Sequence, residues 1–197
     1  MTVKKRLILA SRSPRRESLL RQIGLTFEVR ESGIEEVFDY SKSPEENVQA
    51  LAFQKASAVA GTVNDAIIIG ADTIVVVNAK VLGKPNDRGE AAQMLTMLSG
   101  RTHEVYTGFS LVDRPSNKST TAFEVTKVTF RKLESDEIEA YVRSGSPLDK
   151  AGAYGIQDDY GAVFVEKIEG CFYTVVGFPL TKFYLTMEHF QKQLQLK

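Results

Sequence analysis

Apolar residues occur along the chain in short runs and in stripes spaced by three or four. The run RLILA, residues 6–10, predicts a brief buried strand. Ser13 followed by Pro14 reads as a helix start, with serine at the N-cap and proline at the first helical position. Leu19, Leu20 and Ile23 supply that helix's apolar face, and Gly24 suits the position just past its end. TFEVRES, residues 26–32, predicts a second strand. The clearest helical signal is SPEENVQALAFQKASAVAG, residues 43–61. There Ser43 and Glu46 are spaced as a capping box, Pro44 occupies the first turn and Gly61 closes the helix.

Residues 66–77, AIIIGADTIVVV, are apolar and β-branched, with an interruption at Gly70-Ala71-Asp72-Thr73. A hairpin is expected at Asn78-Ala79, with KVLGKP returning. A helix follows over roughly 87–98, with Ala91, Met94, Leu95 and Leu98 inward and Gly100 beyond it. The pattern then changes. HEVYTGFSLVD and TTAFEVTKVTFRK predict two long antiparallel strands around RPSNKS, and SDEIEAYVRSG a short capped helix. AVFVEKI and CFYTVV predict a further hairpin turning at Glu169-Gly170, with Cys171 packed in a strand. Pro179 opens a C-terminal helix whose apolar face is Leu180, Phe183, Tyr184, Met187 and Leu194. Helices early, long strands in the middle and a helix at the end predict a mixed α/β protein, two lobes around one extended sheet.

Length and composition narrow the function. The 197 residues, 43% hydrophobic and 25% charged, suit a single domain of two lobes spanning 1–197. Lys+Arg equal Asp+Glu at 25 each, so broad electrostatic binding of nucleic acid or anionic membrane is not expected, while a local basic pocket stays open. The single cysteine excludes an intrachain disulfide and fits a reducing compartment. The basic start MTVKKRLILAS lacks the apolar length of a secretory signal, and no run approaches the ~20 residues of a membrane span, so a cytoplasmic protein is expected. His103, His189 and one cysteine cannot build a typical zinc site. There is no P-loop, no G-x-G-x-x-G after a strand and no nucleophile elbow.

The chemical signals are polar residues set against the local pattern. With Pro14 at the first helical position, Arg15 and Arg16 fall at the second and third, where backbone N–H groups already attract anions. Either they point to solvent or pair with acids such as Glu17, or a phosphate resolves the conflict. Lys55 lies on the stripe Leu51, Lys55, Val59, and either snorkels outward or meets a buried anion. Asp72, read as the tip of a buried strand, is a turn aspartate, a metal ligand or a base for water. Glu35 and Glu36 are a solvated pair, or one supplies a metal oxygen. Lys84 is a loop lysine or a phosphate contact. Glycines in DKAGAYGIQ, residues 149–157, suggest either a loop close to a ligand or an ordinary connector, and the Gln157 amide suits a base edge.

Taken together, LASRSPRR, GIEE, GADTIV, LGKP, LSGRTHEVYTG and DKAGAYGIQ, in this order and spacing, resemble the Maf family of nucleoside triphosphate pyrophosphatases. The resemblance implies a two-lobed mixed α/β fold related to inosine triphosphate pyrophosphatases, with a cleft between lobes. It implies hydrolysis of a nucleoside triphosphate to the monophosphate and pyrophosphate with a divalent cation, magnesium or manganese. Members are usually cytoplasmic and often dimeric, which leaves a homodimer open; the family name leaves open a nucleotide-binding regulator of septum formation. By resemblance, Asp72 is the base that activates water and Glu36 an active-site carboxylate, both candidate metal ligands. Ser13, Arg15, Arg16, Lys55 and Lys84 are the triphosphate set. The branch acting on dTTP and UTP carries the features found here as Arg15, Thr73 and Gln157, whereas the branch preferring 7-methyl-GTP typically has a tryptophan in the first motif, and this chain has none. GIQDDYGAVF is slightly longer after Gln157 than the family's usual form.

Overall fold

The computed structural model describes residues 3–157 and 160–195, so the lengthening at Asp158 and Asp159 lies outside the described residues. Its strands are β1 (Leu7–Leu9), β2 (Glu28–Val29), β3 (Ala66–Val77), β4 (Lys80–Leu82), β5 (Thr102–Arg114), β6 (Ser119–Phe130) and β7 (Val165–Glu169). Its helices are α1 (Pro14–Gln22), α2 (Pro44–Ala60), α3 (Arg88–Leu98), α4 (Ser135–Arg143), α5 (Phe172–Val176) and α6 (Leu180–Gln195). The strands form one seven-stranded mixed sheet in the order β2-β1-β3-β5-β6-β7, with β4 paired to β3. Two compact units divide the chain. The first comprises Met1–Asp72, Thr107–Glu124 and Gly177–Lys197, the second Thr73–Tyr106 and Val125–Val176.

In the first unit β1 pairs in parallel with both β2 and β3, setting Leu7–Leu9 against Ile67–Ile69. Parallel strands are covered on both faces, which is why RLILA and AIII are unbroken apolar runs. α2 lies on one face, where Ala56, Val59 and Ala60 pack with Ile8, Ala10, Ile68 and Val112. It lies there with its backbone almost on the sheet. A Cβ on Gly70 would stand 2.1 Å from the Ala52 carbonyl oxygen, and one on Gly108 2.5 Å from that of Val48. This corrects the expected interruption at residues 70–73: β3 runs unbroken through twelve residues, and Gly70 is the point of helix contact rather than a strand breaker. The predicted strand over 26–32 shrinks to the exposed pair Glu28–Val29, matched only to Ile8 and Leu9. On α6 the apolar face is Leu180, Phe183, Met187 and Phe190; Tyr184 is 44% exposed and turns outward. Phe109, Phe178 and Phe183 meet at ring distances of 4.9–5.8 Å and seat that helix.

In the second unit β3 turns into β4 through Asn78 and Ala79, both at positive φ, the pattern of a two-residue type I′ hairpin. Ala91, Met94, Leu95 and Leu98 of α3 are buried as expected, and α3 packs on α4. β7 pairs antiparallel with β6, but the expected partner strand CFYTVV is the helix α5. The reason is a side-chain substitute for the ladder: the Thr126 hydroxyl accepts from Cys171 N at 2.9 Å and donates to Cys171 O at 3.0 Å. With both backbone groups satisfied there, the chain lifts off the sheet. Cys171 is therefore half-buried between β7 and α5, not in a strand. Among the described residues no helix is long and apolar enough to cross a membrane.

His103 is buried at the start of β5, its Nε2 2.8 Å from the Tyr154 hydroxyl and its ring edge-on to Phe130 and Tyr154. Burial pushes its pKa down to about 4, while an unfolded histidine titrates near 6.5. Below pH 6.5 the unfolded chain takes a proton that the folded chain refuses until about pH 4, so this contribution falls as pH drops through that window, by on the order of 3 kcal/mol. The strongly lowered carboxylates Asp39 and Glu137, both at about 2, act only below the ordinary carboxylate range. Denaturant melts of His103→Gln and the parent between pH 6.5 and 4.5 are expected to show a shallower loss in the variant. Parallel profiles would contradict this role.

Candidate functional site

Successive side chains on a strand alternate between faces, so Ile68, Gly70 and Asp72 share one face of β3. That face is the one α2 covers, since Ile68 packs with Ala56. The missing Cβ at Gly70 lets the helix backbone come close, and the residue beside Ala56 on that helix is Lys55. Its ammonium sits 2.6 Å from Asp72 Oδ1 and 2.8 Å from Glu36 Oε1. The side chains of Lys55 and Asp72 are each 7% exposed, that of Glu36 49%. Lys55 thus joins a buried carboxylate to a half-exposed one. It does not snorkel, Glu36 is not a merely solvated acid, and Asp72 lies inside β3 rather than at its tip. A buried ion pair contributes little net stability compared with a packed apolar stripe. Its presence on the stripe Leu51, Lys55, Val59 therefore points to chemistry.

The N-terminus of α1 adds positive charge. Ser13 caps it, its hydroxyl accepting from Arg16 N at 3.5 Å. Arg16 is buried. Its Nε donates to Gly177 O at 3.0 Å and its Nη1 to Ser11 Oγ at 3.3 Å, and Ser11 Oγ also accepts from Ser13 N at 3.2 Å. Burial pushes the Arg16 pKa down, Asp72 and Glu36 pull it back up, and neighbouring Arg15 lowers it further. A guanidinium stays charged through such shifts. Glu17 pairs with Arg21 at 2.9 Å, not with either of the two arginines. The first unit thus gathers Ser13, Arg15, Arg16, Glu36, Lys55 and Asp72.

The other candidates belong to the second unit. Thr73 follows Asp72 on β3 and is half-buried; Lys84 is exposed between β4 and α3. Gln157 is half-buried at the end of residues 149–157, where one tight helical turn ends at Asp149 and another spans Ala151–Ala153. Gly152 there has φ +70° and donates to Gly83 O at 3.0 Å, which ties this segment to the stretch bearing Lys84.

Asn47 escaped the sequence reading, although the signal was present. It stands four residues before Leu51 and eight before Lys55, a second polar residue on the same buried stripe. Among the described residues no group of three or more His, Cys, Asp or Glu side chains could hold a metal by itself. Magnesium needs no such cage: it is commonly held by one or two carboxylates together with substrate phosphates and water. Asp72 and Glu36, gathered on one ammonium, fit a hard cation arriving with a phosphate chain.

A profile of the Maf family, described as Maf-like protein, matches residues 6–190. The chain is 49% identical over 178 residues to the dTTP/UTP pyrophosphatase of Pelotomaculum thermopropionicum, covering 90% of this chain and 93% of that one. It is 48% identical over 186 residues to that of Bacillus anthracis, and 49% over 186 to that of Bacillus cytotoxicus, in both cases covering 94% of this chain and 96% of the relative. Among solved structures, the Ham1 protein of Staphylococcus aureus aligns at 16% identity with a TM-score of 0.43, covering 64% of this chain and 72% of that one.

Proposed function

The chain belongs to the Maf family, and on that premise we propose that it hydrolyses dTTP and UTP to the nucleoside monophosphate and pyrophosphate. The observation that carries this reading is near 50% identity, over at least nine-tenths of the chain, to relatives named dTTP/UTP pyrophosphatase. The contact of Lys55 with Asp72 and Glu36 supports the chemistry. Water attacks the α-phosphorus, the new P–O bond forms as the α–β anhydride bond breaks, and pyrophosphate leaves. Lys55 holds Asp72 by Oδ1, so Oδ2 is the oxygen that takes the proton from water. Charge growing on pyrophosphate is met by Arg15, Arg16, Lys84 and the N–H groups at the start of α1, with Ser13 beside them.

Asp72 and Glu36 would hold magnesium or manganese. When bound, such a cation neutralises phosphate charge and polarises the phosphoryl oxygens. Arg15, Thr73 and Gln157 select the pyrimidine nucleotide, the Gln157 amide offering both a donor and an acceptor to the base edge. The unpaired Cys171 fits a reducing compartment, so we place the reaction in the cytoplasmic nucleotide pool. Pyrophosphate release from a nucleoside triphosphate panel, with magnesium or manganese and with a chelator, tests this reading. dTTP and UTP are expected among the best substrates, and the chelator is expected to stop turnover.

A further inference from the structure

The segment that carries Glu36 has little apolar anchorage of its own: Val37 is 68% exposed and Tyr40 86%. Two of the holds on it come from α2. At one point Lys55 takes Glu36 at 2.8 Å. At another, eight residues earlier on the same stripe and about 12 Å away along the axis, stands Asn47, only 2% exposed. Its Nδ2 donates to the carbonyls of Asp39 at 2.9 Å, Lys42 at 3.3 Å and Ser43 at 3.0 Å, and its Oδ1 accepts from Asp39 N at 2.8 Å.

Helix capping does not account for these bonds. Ser43 and Glu46 already form the capping box of α2, and asparagine is a poor residue inside a helix. Every Asn47 side-chain bond goes to residues 39–43. The same stretch is stiffened by Asp39, which accepts from Ser41 N and Oγ at 3.0 and 2.6 Å and pairs with Lys42 at 3.0 Å. Only Val37 and Phe38 separate Asp39 from Glu36, a reach of about 10 Å at most. Holding Asp39 therefore confines Glu36 to the neighbourhood of Lys55.

We propose that Asn47 is a positioning residue for Glu36, anchoring the Asp39–Ser43 turn so that the Glu36 carboxylate is presented at Lys55 and the substrate. This inference rests on the active-site reading of Glu36. The test is a double-mutant cycle on kcat/KM for dTTP with Asn47→Ala, Glu36→Gln and the double variant. Val63→Ala, a core truncation away from the segment, serves as the stability control. Asn47→Ala is expected to lower kcat/KM about tenfold or more in the parent, the scale of a displaced group, and less than about threefold once Glu36 is glutamine. Asn47→Asp keeps the acceptor for Asp39 N and loses the donors; the same cycle applies to it if the alanine variant does not fold. Equal losses in both backgrounds, or a loss no greater than Val63→Ala gives at matched Tm, would overturn the positioning role. Parent-like activity in Glu36→Gln would instead remove Glu36 from the site, and this inference with it.

Discussion

Asp72→Asn is expected to lower kcat by at least about 10²-fold while the protein stays folded, the scale of a lost general base. The two halves of this expectation have separate causes. Asparagine has the shape of aspartate and keeps an oxygen for Lys55, but it cannot take a proton from water. Removing one charge from a buried pair commonly costs about 3–5 kcal/mol, because the partner is left buried and uncompensated. Here the partner is not abandoned, since Lys55 keeps Glu36 at 2.8 Å. A melting temperature close to the parent's is therefore expected alongside the loss of turnover. KM is expected to move less than kcat, because the charges proposed to bind the phosphates, on Arg15, Arg16 and Lys84, are untouched. Steady-state kinetics and a thermal melt on one preparation check both. A folded variant with near-normal turnover would remove Asp72 from the role of base.

Gly70→Ala is expected to damage both stability and activity, although the change is one methyl group. Its Cβ would stand 2.1 Å from Ala52 O and 2.8 Å from Ala56 N, both of them helix backbone that no rotamer change can clear. α2 must move off the sheet. Overpacking of this kind costs about 3 kcal/mol, which for a chain of this size lowers Tm by about 6–12 °C. The same movement carries Lys55 away from Asp72, and misplacement by about 1 Å is enough for a loss approaching 10²-fold in turnover. A Tm within about 2 °C of the parent would show that the helix does not lie this close to β3.

Signals confined to one element were readable without the structure. The capping box of Ser43 and Glu46, the buried face of α3 and the break in the apolar stripe at Lys55 all follow from spacing along a single helix. What was not readable has non-local causes. Gly70 looks like a strand breaker in sequence because its real neighbours, Ala52 and Ala56, lie on another element. CFYTVV has strand composition, yet Thr126, 45 residues back, takes over the backbone of Cys171 and ends the ladder. Arg15 and Arg16 looked alike at the start of α1. They part because Arg16 finds the Gly177 carbonyl 161 residues away and turns inward. Glu36 sits in an exposed segment with no periodicity, so nothing local connects it to Lys55. Asn47 was legible by the same four-residue spacing as Lys55, but its partners at 39–43 appear only once the chain has turned back on α2.

The most direct measurement is the identity of the products formed from dTTP and UTP in the nucleotide panel, resolved by phosphorus NMR with magnesium present. The expected result is monophosphate and pyrophosphate in equal amounts, formed faster from these two nucleotides than from purine triphosphates and suppressed in Asp72→Asn. Release of inorganic phosphate with a nucleoside diphosphate, or turnover favouring purine nucleotides, would contradict it.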